Sequence, residues 1–397
     1  MSDGGESPHA DGGHVLVVDD NEMNRDMLAR RLLRQGHAVE TAIHGREALS
    51  MLHASAFDLV LLDIMMPEMN GYELLEHLRG DPLFRHLPVI LISALDDADS
   101  VVKGIEMGAD DHLPKPFNPH ILRARVGASL AKKRLHDREQ MHARMLEREI
   151  DIAREIQAGF LPARLPQPDG WELAACFEPA RQVGGDFYDA FALDDGRIVV
   201  AIADVCDKGV GAALFMALFR SLLRALAERT LVAGDDGTGD SRDERLRALV
   251  GSVNDYIART HGDANMFATM FVGVLDPASG ALAYVNGGHE SPALVGAAGV
   301  RARLLPTGPA VGMLPGMEFT VAHQAIDAGE MLLLFTDGAT DARNQGGALL
   351  GEEGMLVLAN PIQGAGITVA ALRDAVHAHA AGTDPFDDLT LMVVARA

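Results

Sequence analysis

The sequence predicts two structured parts of different class. The first third reads as α/β, a doubly wound five-stranded parallel sheet, and the part beyond Pro168 reads as α+β. Three observations carry this. Apolar strand-like runs alternate with amphipathic helical stretches from His14 onward. A charged stretch with no proline between Pro119 and Pro162 then reads as one long helix. Beyond it, strands are grouped apart from helices, with turn residues between them.

In order, HVLVVDD is a buried strand, and NEMNRDMLARRLLRQG is an amphipathic helix ending at Gly36 as its C-cap. HAVETAI, FDLVLLDI and PVILISA are further strands, with helices expected at 45–54, 71–79 and 97–107, and DDHLPKP is a short fifth strand. In such a sheet the chemistry lies at the strand C-terminal ends. Asp19 and Asp20 follow the first strand, Asp63 ends the third, Ser93 the fourth and Lys115 the fifth. Three carboxylates brought together need a cation among them, and an ammonium beside them can grip a phosphoryl oxygen.

Residues 14–130 therefore resemble a response-regulator receiver domain of flavodoxin-like fold, since VVDD, LVLLDIMMPEMNG, Ser93-Ala94 and KPF fall in that family's order. The resemblance implies Asp63 as phospho-acceptor and Mg²⁺ held by Asp19, Asp20, Asp63 and the Met65 carbonyl. It also implies Ser93 and Lys115 as switch residues on the phosphoryl group, and a cis Lys115–Pro116 peptide. Where the family often has an aromatic switch residue, this chain has His112.

Residues 131–160 form a helical connector. AKKRLHDREQMHARMLEREIDIAREIQ is either a solvated helix or the seam of a coiled-coil dimer. Beyond Pro168, WELAACFEP, RIVVAIADV, MFATMFVGVLD and MLLLFTD are strands, while DDG at 194–196 and DPASG at 276–280 are hairpin turns. Helices are expected at 209–231 and 244–260, joined by the mobile loop AGDDGTGDSRDE. Asp186, Asp204, Asp337 and Asp387 each lie beside an apolar run, with Asp341 and Asp388 close in sequence. Such acids can hold two hard cations that clamp a phosphate.

AREIQAGFLP, VGGDFYD, ADVCDKGVGAALFMA, NGGHESPAL, LFTDGATDARN and DPFDDLTLMVVA occur in that order over residues 150–397. They resemble the metal-dependent phosphatases of the protein phosphatase 2C type (PPM), in the bacterial sporulation-phosphatase and sigma-regulator branch. The phosphatase domain is placed at 161–397. The resemblance implies two packed antiparallel sheets flanked by helices, and two Mn²⁺ or Mg²⁺ ions. Asp186 would bridge both ions, Asp204 and the Val205 carbonyl would take one, and Asp337 and Asp387 the other. Asp341 falls where some relatives hold a third metal, and Asp388 is assigned a supporting role. Arg181 is either a phosphate contact or a surface arginine. His289 is either catalytic or a structural histidine of a glycine-rich turn. Eukaryotic relatives place a histidine just after the second metal acid, where this chain has Val205, Cys206 and Asp207. GGDFYD also invites comparison with the GGDEF hairpin of diguanylate cyclases. That motif has an acid directly after its Asp, here Phe187, and keeps most of its domain upstream of the hairpin.

A net charge of −23 argues against a nucleic-acid partner. Cys176 and Cys206 read as buried free thiols. MSDGGESPHADGG is expected to be a disordered tail over 1–13, and no run of 18 apolar residues occurs, so no membrane span and a cytoplasmic setting are expected. The functional expectation is a response regulator in which a histidine kinase or phosphotransfer protein modifies Asp63. This would control a serine/threonine phosphatase acting on a phosphorylated STAS-type anti-sigma-factor antagonist, with dimerisation through the receiver and connector. The rivals are a docking module that binds a sigma-regulatory partner without turnover, and the disfavoured cyclase.

Overall fold

Among the described residues, largely apolar strands build three sheets. The computed structural model describes residues 12–94, 98–232, 239–359 and 364–397. The chain divides into two compact units, Met1–Leu146 and Glu147–Ala397.

In the first unit the order is β1 (His14–Val18), α1 (Glu22–Arg34), β2 (Ala38–Ala42), α2 (Gly45–Ala54), β3 (Leu59–Asp63), α3 (Gly71–Gly80), β4 (Val89–Ala94), α4 (Ala98–Glu106) and β5 (Asp111–Lys115). The strands are parallel in the order β2-β1-β3-β4-β5. Strand alternation sends Val15, Val17, Leu59, Leu61, Ile90 and Ile92 to one core and Leu16, Val18, Val60, Leu62, Val89 and Leu91 to the other. Side-chain caps start the helices: Asn21 accepts from the amides of Met23 and Asn24, and Asn70 forms a capping box with Glu73. The cap of α1 is Gln35, and Gly36 lies one residue beyond it at φ +90°. The expected position of the glycine is thus shifted by one, because the left-handed residue follows the cap.

Helix α5 runs from Pro119 to Phe160 without a break, as the absence of internal proline predicts.

The second unit continues with β6 (Trp171–Glu178), β7 (Phe187–Ala192), β8 (Ile198–Val205), α6 (Val210–Val232), α7 (Gly239–Thr260), β9 (Ala268–Leu275), β10 (Ala281–Gly287), β11 (Ala293–Gly296), β12 (Gly299–Arg303), β13 (Ala322–Ala325), β14 (Met331–Phe335), α8 (Asp337–Thr340), α9 (Gly351–Leu358), α10 (Ala365–His379) and β15 (Leu389–Arg396). Two antiparallel sheets result, β13-β10-β9-β8-β7 and β12-β11-β14-β15-β6. Ile198, Val200, Ile202, Phe271, Leu332, Leu334, Met392 and Val394 fill the space between them. The outer face of the first sheet packs on α6 and α7, and that of the second on α9 and α10.

Two expectations are corrected here. The stretch 233–244 is not all loop, because α7 already includes Gly239 to Glu244; residues 233–238 of the expected mobile loop lie outside the described residues. Cys176 and Cys206 are free but only partly buried. Of the expected tail, residues 1–11 lie outside the described residues. Among the described residues one helix, Val210–Val232, is long and apolar enough to cross a membrane by length and composition. Its Met216, Phe219, Leu223 and Leu231 are buried in the α6–α7 core.

Candidate functional site

At the C-terminal edge of the parallel sheet, Asp19, Asp20 and Asp63 offer carboxylate oxygens within 4.8 Å of one another. Asp19 and Asp63 are buried and Asp20 is exposed. Lys115 Nζ lies 2.9 Å from Asp63 Oδ1 and 3.1 Å from Asp19 Oδ2. Asn24 Nδ2 donates to both Asp19 oxygens, and Arg25 Nη1 donates to the Asp19 carbonyl at 2.8 Å, which fixes the β1 end. Burial raises the Asp63 pKa to about 6, with Asp19 and Asp20 adding to the rise and Lys115 opposing it. Ser93 Oγ is buried with no hydrogen-bond partner among protein groups. An orphaned hydroxyl beside three acids and an ammonium fits a phosphoryl group and its cation. The Lys115–Pro116 peptide is cis. His112 is half-exposed, beside Asp111, which pairs with Arg125 of α5.

In the second unit, strand alternation decides which acids converge. Even-numbered residues of β7, β8, β14 and β15 face the space between the sheets, so Asp204, Thr336 and Thr390 point there beyond the apolar layers. Asp186 has the same parity and is buried among them. Thr336 and Thr390 each donate a hydroxyl to Asp186 Oδ2, at 2.7 and 2.6 Å, leaving Oδ1 free of those donors. Burial, then Asp204 and Asp388, push the Asp186 pKa well above the ordinary carboxylate range. Burial, then Asp337 and Asp387, raise Asp204 to about 7, against a hydrogen bond with the Asp186 carboxyl. Asp337 rises to about 6 through burial, Asp387, Asp341 and Glu290. Acids that raise one another's pKa in this way, with Lys208 the cation set against Asp337 and Asp387, fit divalent cations.

Asp388 does different work. Its oxygens accept the amides of Ala180 (2.8 Å) and Gly185 (2.6 Å), and thereby hold the loop that delivers Asp186. The approach is so close that a Cβ on Gly184 would meet Asp388 Oδ2 at 2.2 Å, and one on Gly338 the Asp388 carbonyl at 2.1 Å. The Val205 carbonyl lies against Gly185 in the same loop. Asp189, three residues after Asp186, has the opposite parity. It points to α6, where Arg220 Nε (3.1 Å) and Arg224 Nη1 (3.2 Å) pair with it.

Arg181 is exposed and lines a cleft with Arg154, Gln157 and Tyr188 whose walls include none of these acids. His289 is buried, with Nδ1 2.9 Å from Thr269 Oγ1, and burial lowers its pKa to about 4. That places it behind Asp204, whose register partner is Thr269, rather than at an open surface.

Sequence reasoning missed five groups: the Thr336 and Thr390 hydroxyls, Gln157, Lys208 and Glu290. The threonines were legible as LFTDG and DDLTL, polar residues at inward parity next to acids. Gln157 contacts the Gly184 backbone at both its donor and its acceptor. Lys208 Nζ is 2.7 Å from Asp387 Oδ2, and a tertiary pairing of that kind leaves no local pattern.

Residues 194–397 match the family described as Stage II sporulation protein E (SpoIIE). The chain belongs to the SpoIIE family. Residues 15–127 match the response regulator receiver domain. The SpoIIE match begins downstream of Gly184–Asp189, so the place of Asp186 beside Asp204 rests on the sheet described above.

Protein IcfG of Synechocystis sp. is 43% identical over 262 residues, 62% of this chain and 41% of that protein. The SiaA-PP2C domain of Pseudomonas aeruginosa shares the fold at 19% identity, with a TM-score of 0.53 over 64% of this chain and 98% of that one. The RsbU and RsbW domains of Rv1364c from Mycobacterium tuberculosis align at 29% identity over 60% of this chain and 63% of that one, with a TM-score of 0.47. The chain spans about half the length of the curated relatives it matches. It is a receiver joined to a SpoIIE phosphatase-family domain.

Proposed function

We propose that the chain is a response regulator in which phosphorylation of Asp63 controls a metal-dependent serine/threonine phosphatase. The parts are proposed as a receiver at 14–130, a connector at 131–160 and a phosphatase domain at 161–397. The observation that carries the reading is the convergence of Asp186, Asp204 and Asp337 at one end of the paired sheets, where burial and neighbouring acids, Asp387 among them, hold all three pKa values above the ordinary carboxylate range. Asp186, Asp204 and the Val205 carbonyl, with Asp337 and Asp387, would hold two Mn²⁺ or Mg²⁺ ions, and Asp341 a third. Such ions supply an activated water and charge neutralisation for a phosphate monoester. The chain's own part is orientation: Thr336 and Thr390 fix one Asp186 oxygen, and Asp388 fixes the loop before it. Arg181, exposed in its own cleft, would contact the substrate phosphate.

In the receiver, Asp63 is the proposed acceptor from a histidine kinase or phosphotransfer protein. Asp19, Asp20, Asp63 and the Met65 carbonyl would hold Mg²⁺, with Ser93 and Lys115 on the phosphoryl oxygens. Family membership supports a phosphorylated STAS-domain anti-sigma antagonist as substrate, with the receiver and connector helix as a dimerisation surface. The test is phosphate release from a phosphoserine STAS-domain protein with Mn²⁺, with and without a small phosphodonor for Asp63, in wild type, Asp186→Ala and Asp337→Ala. Turnover that requires both acids and shifts with the phosphodonor is expected. Binding without turnover in all three proteins would instead establish a non-catalytic docking module.

A further inference from the structure

We propose that the groove beside Asp387 seats the polypeptide flanking the substrate phosphoserine, with Phe386 and Arg343 selecting it; this rests on the phosphatase reading above. The groove holds about 270 Å³ and is continuous with the acid site, since Asp387 and Gly338, the neighbour of Asp337, form part of its wall. Its apolar lining comes from Ala342, Val376 and Leu389. At its edge stands Phe386, a large aromatic left 55% exposed directly before an acid of the site.

That ring is held in place. Lys208 Nζ lies 4.4 Å and the Arg343 guanidinium 5.2 Å from its centroid, within cation–π range. Lys208 also donates to the Phe386 carbonyl. The Arg343 backbone is tied to the same loop, because Thr383 Oγ1 donates to its carbonyl at 2.9 Å. An exposed aromatic fixed in advance loses little freedom on contact, which is the property of a recognition anchor.

Charge points to the same occupant. Asp186, Asp204, Asp337, Asp387 and Glu290 make a field that repels a phosphoprotein, while Lys208 and Arg343 supply positive charge at the Phe386 edge of the groove, against Glu178 and Asp384 elsewhere in its lining. The space suits one or two side chains, not a helix. The occupant is therefore an extended phosphoserine-bearing segment with an apolar side chain near the phosphoserine in the groove, and a carbonyl or acidic group toward Arg343.

The experiment uses the full chain with Mn²⁺ and two probes: p-nitrophenyl phosphate, and phosphoserine peptides in which each nearby position is Leu, Gly or Asp in turn. In wild type, Leu at one fixed position near the phosphoserine is expected to raise kcat/KM about tenfold over Gly. Phe386→Ala and Arg343→Ala should flatten that preference, and Phe386→Tyr should keep it. Turnover of p-nitrophenyl phosphate reports that each variant is folded and loaded. Wild type that hydrolyses the small ester but treats all peptides alike overturns the inference, as does an unchanged preference in Phe386→Ala. Wild type that hydrolyses neither probe overturns the phosphatase reading, and the inference falls with it.

Discussion

Gln157 and Gly184 hold each other at both ends of one amide. The Gly184 N–H donates to Gln157 Oε1 at 3.1 Å, and Gln157 Nε2 donates to the Gly184 carbonyl at 2.6 Å, with the side chain buried. The glutamine lies in the last turns of α5, and the glycine is two residues before Asp186. Helix position is thereby linked to the loop that carries the central acid. Gln157→Ala leaves a buried amide and carbonyl unpaired, a cost of about 1–3 kcal/mol. A lower urea midpoint and weaker Mn²⁺ binding by calorimetry are expected. Unchanged Mn²⁺ affinity would remove the link between helix and metal site.

Two acids of one hexapeptide should respond in opposite ways. Asp189 is buried with Arg220, which is itself only 11% exposed, so Asp189→Ala leaves a buried guanidinium uncompensated. A stability loss of about 3–5 kcal/mol is expected. Asp186 sits among acids, so Asp186→Asn removes repulsion while its remaining oxygen can still accept from Thr336 and Thr390. The metal-free Asn variant should melt above metal-free wild type near neutral pH, yet bind no Mn²⁺. Thermal denaturation in EDTA decides both signs.

The contrast also shows what the sequence made legible. Asp186 was assigned through its motif, whereas the helix-facing place of Asp189 was not read from the sequence, although period-two alternation in FYDAFA carries it. The parallel sheet and its acids were equally open, because each acid follows its own apolar run. The start of α7 was not, since Gly239 to Glu244 is polar and carries no apolar period to mark a helix. Lys208 on Asp387 was hidden for a related reason: the pair joins residues 179 apart, and only the closed sheets bring them together.

In the receiver, Lys115 opposes the rise of the Asp63 pKa by donating to Oδ1. Lys115→Ala should push Asp63 higher, leaving less carboxylate near neutral pH to accept a phosphoryl group. Labelling by phosphoramidate should slow and its pH profile should move upward, while Asp63→Asn should take no label. A profile identical to wild type would separate Lys115 from acceptor ionisation.

Metal and protons should compete for the acids of the second unit. Asp204 and Asp337 titrate near 7 and 6 in the folded chain, whereas unfolded carboxylates titrate near 4. Between these values the folded state binds more protons than the unfolded one, so stability must fall as pH rises. The contribution is full below about pH 4 and is lost as pH passes through about 6 to 7. In EDTA the melting temperature of the second-unit transition should therefore drop between about pH 5 and pH 8. Saturating Mn²⁺ replaces those protons, and because the ion needs ionised ligands its stabilisation should grow over the same interval. The melting curves with Mn²⁺ and with EDTA should diverge as pH rises. Curves that stay parallel from acid to neutral would mean that the four acids are not the Mn²⁺ ligands.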